Sequence, residues 1–319
     1  MTKAFVTGAA GFIGSTLVDR LLAEGQQVIG YDNFSTGRLD FLAEALSNPS
    51  FKLVKADVLD PFALSAAMRG ADVVWHFSAN ADVRFGLEHP RKDLEQNVVA
   101  TSNVLEAMRH NGIRDILFSS TGSVYGEAVV FPTPEDAPFP IQTSLYAASK
   151  LAGEGLISSY CEGYDFRAVV FRFVSMLGQR YTHGHVFDFV RYLLKDPNRL
   201  PILGDGTQRK SYLHVGDCVE AMLTVGRSMP DSFAVYNLGA DEYCTVRDSI
   251  GWITAKMGVS PKLEFSGGQR GWVGDNPFIF LDTKKIRALG WKNNLSIRQG
   301  VELTVSWLLE NRSLLETGK

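Results

Sequence analysis

The run Thr7-Gly8-Ala9-Ala10-Gly11-Phe12-Ile13-Gly14-Ser15 constrains this chain more than any other stretch. It follows a short apolar run, Lys3–Thr7, and opens an amphipathic stretch over Phe12–Gly25. A strand that turns sharply into a helix asks for glycine three times: for the tight turn, for close approach of a phosphate, and for close packing of helix on sheet. The helix start then offers free N–H groups and the positive end of its dipole to an anion. The spacing is GxxGxxG rather than GxGxxG, so context carries the reading: a strand before, a helix after.

The rest of the first half keeps that rhythm. Gln27–Asp32, Phe51–Lys55, Asp72–His76, Asp115–Ser119 and Phe166–Phe171 read as further strands. Pro61–Arg69, Pro90–Asn111 and Ser144–Glu162 read as helices between them. Strands alternating with helices predict a doubly wound parallel sheet of Rossmann type, with right-handed crossovers. After Phe173 the alternation breaks into helices near Val186–Lys195, Val215–Arg227, Val246–Met257 and Ile297–Asn311, joined by Gly/Pro-rich loops. This predicts an α/β chain in two interleaved parts. Residues 1–173 and 212–240 form the dinucleotide-binding domain; 174–211 and 241–319 form a smaller α/β substrate-binding domain over the carboxyl ends of the strands, where a ligand crevice is expected.

Composition narrows the function classes. The 32 Lys+Arg against 35 Asp+Glu leave a net charge of −3, which speaks against a broadly basic nucleic-acid binder. No run approaches the roughly 18 apolar residues of a membrane span, and the start does not resemble a signal peptide. Cys161, Cys218 and Cys244 are widely separated and form no CxxC pair. A cytoplasmic protein is expected. His183-Gly184-His185 lacks the companions of a metal site, so no metal is expected. Neither GxxxxGK[ST] nor GxSxG occurs.

Asp32 ends the second strand about 20 residues beyond the glycines, where a carboxylate accepts from a ribose 2′-hydroxyl and repels a 2′-phosphate. That favours NAD over NADP, with Arg38 nearby as the opposing feature. Asp57-Val58, after the third strand, are candidates for the adenine edge. Tyr146 and Lys150 stand four apart in a predicted helix, so phenol and ammonium share one face. A neighbouring ammonium favours phenolate, which would make Tyr146 a general base for an alcohol proton. Thr121, at the end of the fifth strand, is placed to share that proton.

TGAAGFIGS, SSTGSVYGE and YAASK together resemble the extended short-chain dehydrogenase/reductase family, the nucleotide-sugar epimerases and dehydratases. The likeness covers nearly the whole chain. RFVSMLGQR, LGDGTQRKSYLHVGDCVEA and GQRGWVGD resemble the UDP-glucose/UDP-galactose 4-epimerase branch. The resemblance implies Thr121, Tyr146 and Lys150 as catalytic positions. It implies Gly8, Gly11, Phe12, Ile13, Gly14, Asp32, Asn33, Asp57, Val58, Asn97 and Ser119 at the dinucleotide, with Phe77 and Ala79 lining its pocket and Tyr146 and Lys150 reaching it. Ser175, Arg209, Lys210 and Arg270 would meet the sugar nucleotide, and a homodimer is implied.

Departures from the family pattern sharpen the expectation. Gly122 and Ser123 stand where 4,6-dehydratases carry an acidic pair, and the same absence weakens a decarboxylase reading. Ser175 replaces a common Asn, and Lys210-Ser211 replaces Arg-Asp, which would shift a phosphate contact to Arg209. Ile279 is a candidate boundary of the sugar pocket, compatible with an N-acetylated sugar. The expected activity is 4-epimerisation of a nucleoside-diphosphate hexose. The rivals are an epimerase of another such sugar (a uronate, N-acetylhexosamine or heptose nucleotide), an NADP-releasing reductase, and a non-catalytic NAD-binding regulator.

Overall fold

The computed structural model describes residues 2–80, 83–139, 141–271, 276 and 278–316, with the side chains of 83–85 left aside. The end of the GQRGWVGD motif, residues 272–275, therefore lies outside the described residues. The chain packs into two compact units. The first is Met1–Val124, Ile141–Arg172 and Val219–Tyr236; the second is Tyr125–Pro140, Phe173–Cys218 and Asn237–Lys319. The segment Tyr125–Pro140 thus goes with the second unit, a crossing that the sequence reading does not contain.

The first unit is built on β1 (Lys3–Thr7), β2 (Gln27–Asp32), β3 (Phe51–Lys55), β4 (Val73–His76), β5 (Asp115–Thr121) and β6 (Arg167–Phe173). With Phe233–Leu238 at one edge, the sheet runs Phe233–Leu238, β6, β5, β4, β1, β2, β3. β1 pairs in parallel with β2 and β4, β2 with β3, and β4 with β5. Strand order reverses between β1 and β4, so a crevice opens at their carboxyl ends. This is the Rossmann-type doubly wound α/β sheet, with the return of the chain to its edge after residue 215.

Parallel strands covered on both faces need near-continuous apolar runs, and β1 and β6 supply them. Phe5, Leu64, Met68, Val74, Leu105, Ile116, Phe118 and Val170 form one buried face. Leu17, Leu21 and Leu22 bury the inner stripe of Phe12–Ala23. Two departures from the expected elements bear on the site. β5 continues to Thr121, which places that hydroxyl on the strand itself. The helix expected over Pro90–Asn111 is not uniform: Pro90–Asp93 and Ala100–His110 flank a π-helical turn, Leu94–Val99. The widened turn accommodates buried Asn97, whose amide is drawn to two other elements described below.

The second unit carries small sheets: Tyr212–His214 with Ser175–Leu177, Arg209–Lys210 between Cys244–Thr245 and Phe278–Ile279, and Lys262–Phe265 with Arg199–Ile202. Capping boxes start two of its helices, Thr245/Asp248 before Val246–Met257 and Ser296/Gln299 before Ile297–Glu310. No described helix is long and apolar enough to cross a membrane.

Candidate active site

The glycine turn leads from β1 into Phe12–Ala23. Gly8 has φ +68°, and a Cβ there would lie 2.8 Å from the Phe77 carbonyl carbon and the Ser78 nitrogen. At Gly14 an added Cβ would stand 2.1 Å from the Gly8 carbonyl oxygen. The turn can close only with bare backbone at both places. Gly11, at the start of that helix, makes no side-chain cap hydrogen bond.

A cleft opens beside this turn. Gly8, Gly11, Asp32, Asn33, Val58, Phe77 and Ala79 line it, all expected from the sequence. Ser35, Thr36, Ala56, Ser78 and Gln96 also line it and were missed. Ser35 and Thr36 follow Asp32 directly, so their neighbourhood was a usable signal. Gln96 had none, because the π turn decides which residue faces the cleft. Asp32 is anchored: its carboxylate accepts from Ala10 N at 2.9 Å and Phe34 N at 2.8 Å. Burial raises its pKa, while those two N–H groups oppose the rise.

Four expected contact residues are placed differently. Phe12 and Ile13 form the first helical turn and do not line the cleft. Asp57 turns its carboxylate to Asn33 Nδ2 and Leu59 N, both at 2.9 Å, which leaves Val58 at the wall. Asn97 accepts from Asn80 N at 2.9 Å and donates to Ser149 Oγ at 2.8 Å. It ties the loop after β4 to the helix Leu145–Tyr164 instead of facing the cleft. His76 completes this frame. Thr101 donates to the Asn97 carbonyl, so the His76 Nε2–H donates to Thr101 at 3.0 Å and its Nδ1 accepts from Thr7 at 2.8 Å. The Thr7 oxygen in turn accepts from Phe77 N and Ser78 N, both at 3.1 Å.

Tyr146 and Lys150 lie on Leu145–Tyr164, which Ser144 caps by accepting from Ala147 N at 3.1 Å. Thr121 hydrogen-bonds the Tyr146 phenol. Lys150 Nζ donates to the Ser119 carbonyl at 2.7 Å and sits 4.7 Å from the Phe118 ring centroid. Thr121, Tyr146 and Lys150 are thus brought together at the end of β5. Without the cationic nicotinamide, burial works against phenolate. Burial pushes Tyr146 up to about 12, the Thr121 hydrogen bond opposing and Asp93 adding to the rise. Burial also brings Lys150 down to about 7, against the pull of Glu154. Desolvation is the largest influence on both groups.

The second unit holds the remaining candidates. Arg209 and Lys210 are adjacent on one strand, so they project to opposite sides. The Arg209 guanidinium lies 3.8 Å from the Phe278 ring centroid and 5.6 Å from that of Tyr243. Lys210 donates to the Asn276 carbonyl and lowers the pKa of His185. Arg270 pairs with Glu127. Ser175 is exposed, opposite Tyr212 in its ladder. Among the described residues no His/Cys/Asp/Glu group could hold a metal.

The donor set fits a dinucleotide: a bare glycine turn, an uncapped helix start, a carboxylate at the far rim, and a Tyr/Lys pair at the neighbouring strand end. Known proteins agree. The model of the NAD dependent epimerase/dehydratase family matches residues 4–239. A UDP-glucose 4-epimerase of Mycolicibacterium smegmatis is 34% identical over 313 residues, covering 96% of this chain and 98% of that protein. A crystal structure of UDP-galactose 4-epimerase superposes with TM-score 0.87 at 36% identity, covering 97% of this chain and 99% of the other. UDP-glucuronic acid 4-epimerase from Bacillus cereus, solved with UDP-glucuronic acid and NAD, gives TM-score 0.89 at 27% identity, covering 97% and 100%. The chain belongs to the NAD-dependent epimerase/dehydratase family, and its cofactor is NAD.

Proposed function

We propose that this chain inverts C4 of a nucleoside-diphosphate hexose, with UDP-glucose and UDP-galactose as the natural pair. The observation that carries the reading is the Thr121–Tyr146–Lys150 constellation, with Gly122 and Ser123 rather than an acidic pair directly after Thr121. Similarity to the Mycolicibacterium smegmatis UDP-glucose 4-epimerase supports the substrate class.

Tyr146 takes the proton of the 4-hydroxyl, and Thr121 holds the shared hydrogen bond. NAD, when bound, supplies the hydride acceptor and donor at C4 and the positive charge that favours phenolate. Gly8, Gly11 and Gly14 hold its diphosphate, and Asp32 takes the adenosine ribose. Lys150, fixed by the Ser119 carbonyl, holds the second ribose and lowers the cost of ionising Tyr146. The 4-keto sugar turns about its diphosphate bonds, and Tyr146 returns the proton to the inverted centre. No net oxidation occurs.

Lys210 is the phosphate contact for the sugar nucleotide. The working unit is a homodimer, a reading supported by exposed Leu94, Val99 and Leu145 on helices of the first unit. Light scattering would read about twice 35.1 kDa; a stable monomer would reject the dimer.

The deciding experiment incubates the purified protein with UDP-, dTDP- and GDP-sugars without added cofactor and follows products by NMR. C4 inversion of UDP-glucose and UDP-galactose is expected. Inversion confined to UDP-glucuronate or a UDP-N-acetylhexosamine would move the substrate within the class. No inversion of any sugar, with or without NAD, overturns the reading.

A further inference from the structure

Three consecutive residues at the carboxyl end of β5 each hold a different turn of the helix Leu145–Tyr164. Thr121 acts on Tyr146, lowering the phenol pKa against the rise from burial. The Ser119 carbonyl accepts from Lys150 Nζ. Ser120 Oγ donates to Glu154 Oε1. Tyr146, Lys150 and Glu154 stand at i, i+4 and i+8, so they form one stripe along the helix.

The third rung has no part in the chemistry, yet it is the most heavily built. Arg172, on β6, donates from Nε to Glu154 Oε1 at 3.1 Å and from Nη2 to Oε2 at 2.7 Å. Glu154 is 4% exposed, Arg172 3% and Ser120 2%. A buried ion pair offers little net stability over a well-packed apolar pair, because both charges lose their hydration. Its fork geometry offers direction and register instead. Glu154 is thereby tied to two neighbouring strands, β5 through Ser120 and β6 through Arg172.

We propose that Glu154, clamped by Arg172 and Ser120, is a positioning residue of the reaction: it sets the register of the catalytic helix against β5 and keeps Lys150 as a directed ammonium. This rests on the reading of Tyr146 as the base. Glu154 lies one turn beyond Lys150, and its charge opposes the loss of the Lys150 proton. The other groups facing this stripe are Arg172 from β6, His76 from β4, held neutral by burial, and Asp93 from the helix Pro90–Asp93, which acts on Tyr146. None of the three replaces the negative charge beside Lys150: two are basic, and Asp93 bears on the phenol.

Glu154→Gln in the NAD-loaded enzyme tests this. Expected are a fall in kcat of about 10- to 100-fold, a KM within about twofold, and an alkaline limb of the kcat profile lower by about one pH unit. Glu154→Asp should recover most of the loss. Ser120→Ala, which removes one hydroxyl and leaves the ion pair, should move kcat and the limb the same way by less. That variant keeps the test open if Glu154→Gln folds poorly. A lower Tm with unchanged kcat per folded site, or a lower kcat with an unmoved limb, overturns the proposal.

A second readout needs no sugar substrate. The pH dependence of trace acetylation at Lys150, read by mass spectrometry, should show a midpoint about one unit lower in Glu154→Gln. An identical midpoint overturns the proposal even if the epimerase reading holds. A shifted midpoint in a protein that turns over no sugar would sink the epimerase reading alone.

Discussion

Lys150 Nζ lies 2.7 Å from the Ser119 carbonyl oxygen, on a side chain that is 2% exposed. The bond fixes one ammonium hydrogen on the strand and aims the others elsewhere. Burial has brought the group down to about 7 and Tyr146 up to about 12. Burial thus works against the charged form of both groups. Removing the phenol should cost chemistry rather than binding, whereas removing the ammonium should cost both. Tyr146→Phe is expected to lower kcat by about 10²- to 10⁴-fold with NAD still bound, and Lys150→Met to lower both turnover and NAD retention. Turnover assays beside cofactor absorbance of the purified protein check this. Undiminished activity in Tyr146→Phe removes it as the base.

Glycine positions divide cleanly by what surrounds them. A methyl at Gly14 would meet backbone at 2.1 Å, and backbone cannot swing aside. Gly14→Ala should lose NAD and a large part of the stability. Gly155 lies exposed inside the helix Leu145–Tyr164, with nothing within 4 Å of an added Cβ. Gly155→Ala should stabilise by ~0.5–1 kcal/mol through a less flexible unfolded chain. Thermal melts and bound-cofactor absorbance measure both. A Gly14→Ala protein that retains NAD would show that the turn has slack the structure denies.

Much of the first unit was legible because its signals are local. Buried parallel strands must be apolar, and the glycine turn must follow one of them, so β1, Phe12–Ala23 and β2 read directly. Tyr146 and Lys150 were legible because helical spacing alone puts them on one face. The π turn at Leu94–Val99 was not: its cause is Asn97 bonding to Asn80 and Ser149, contacts 17 and 52 residues away. The same non-locality hid Gln96 and turned Asp57 toward Asn33. The pKa of Tyr146 in the chain without cofactor was hidden for another reason. Sequence shows which charges are near, while desolvation depends on how deeply the fold buries them.

His76 makes acid stability a test of that burial. Its pKa is lowered to about 3, first by desolvation and then by Lys150. An unfolded histidine takes up a proton near 6.5, whereas the folded one resists until about 3. Its stabilising contribution is therefore complete above 6.5 and declines as pH falls toward 3, by at most ~1.4 kcal/mol per unit. His185, also lowered to about 3, acts in the same direction. Tm should fall steeply between pH 6.5 and 4. His76→Asn should start lower and fall less, since one proton fewer is taken up on unfolding. Parallel curves for the two proteins would show that His76 does not titrate this way.

Arg209 and Lys210 compete for one role, and strand geometry separates them. Adjacent strand residues point to opposite sides, so a ligand meets one of them, not both. Arg209 spreads over Phe278 and Tyr243, a stacked arrangement that uses the flat guanidinium as an apolar cover. Lys210 is tethered to the Asn276 carbonyl and near enough to depress the His185 pKa. Lys210→Met should therefore raise the KM for the sugar nucleotide by about 10- to 100-fold, the range of a lost charged hydrogen bond of ~1.5–3 kcal/mol, with kcat and bound NAD little changed. Arg209→Met, which keeps an apolar chain over Phe278, should raise KM by less than about threefold. The reverse ranking would return the phosphate contact to Arg209, as the Lys210-Ser211 departure had led one to expect.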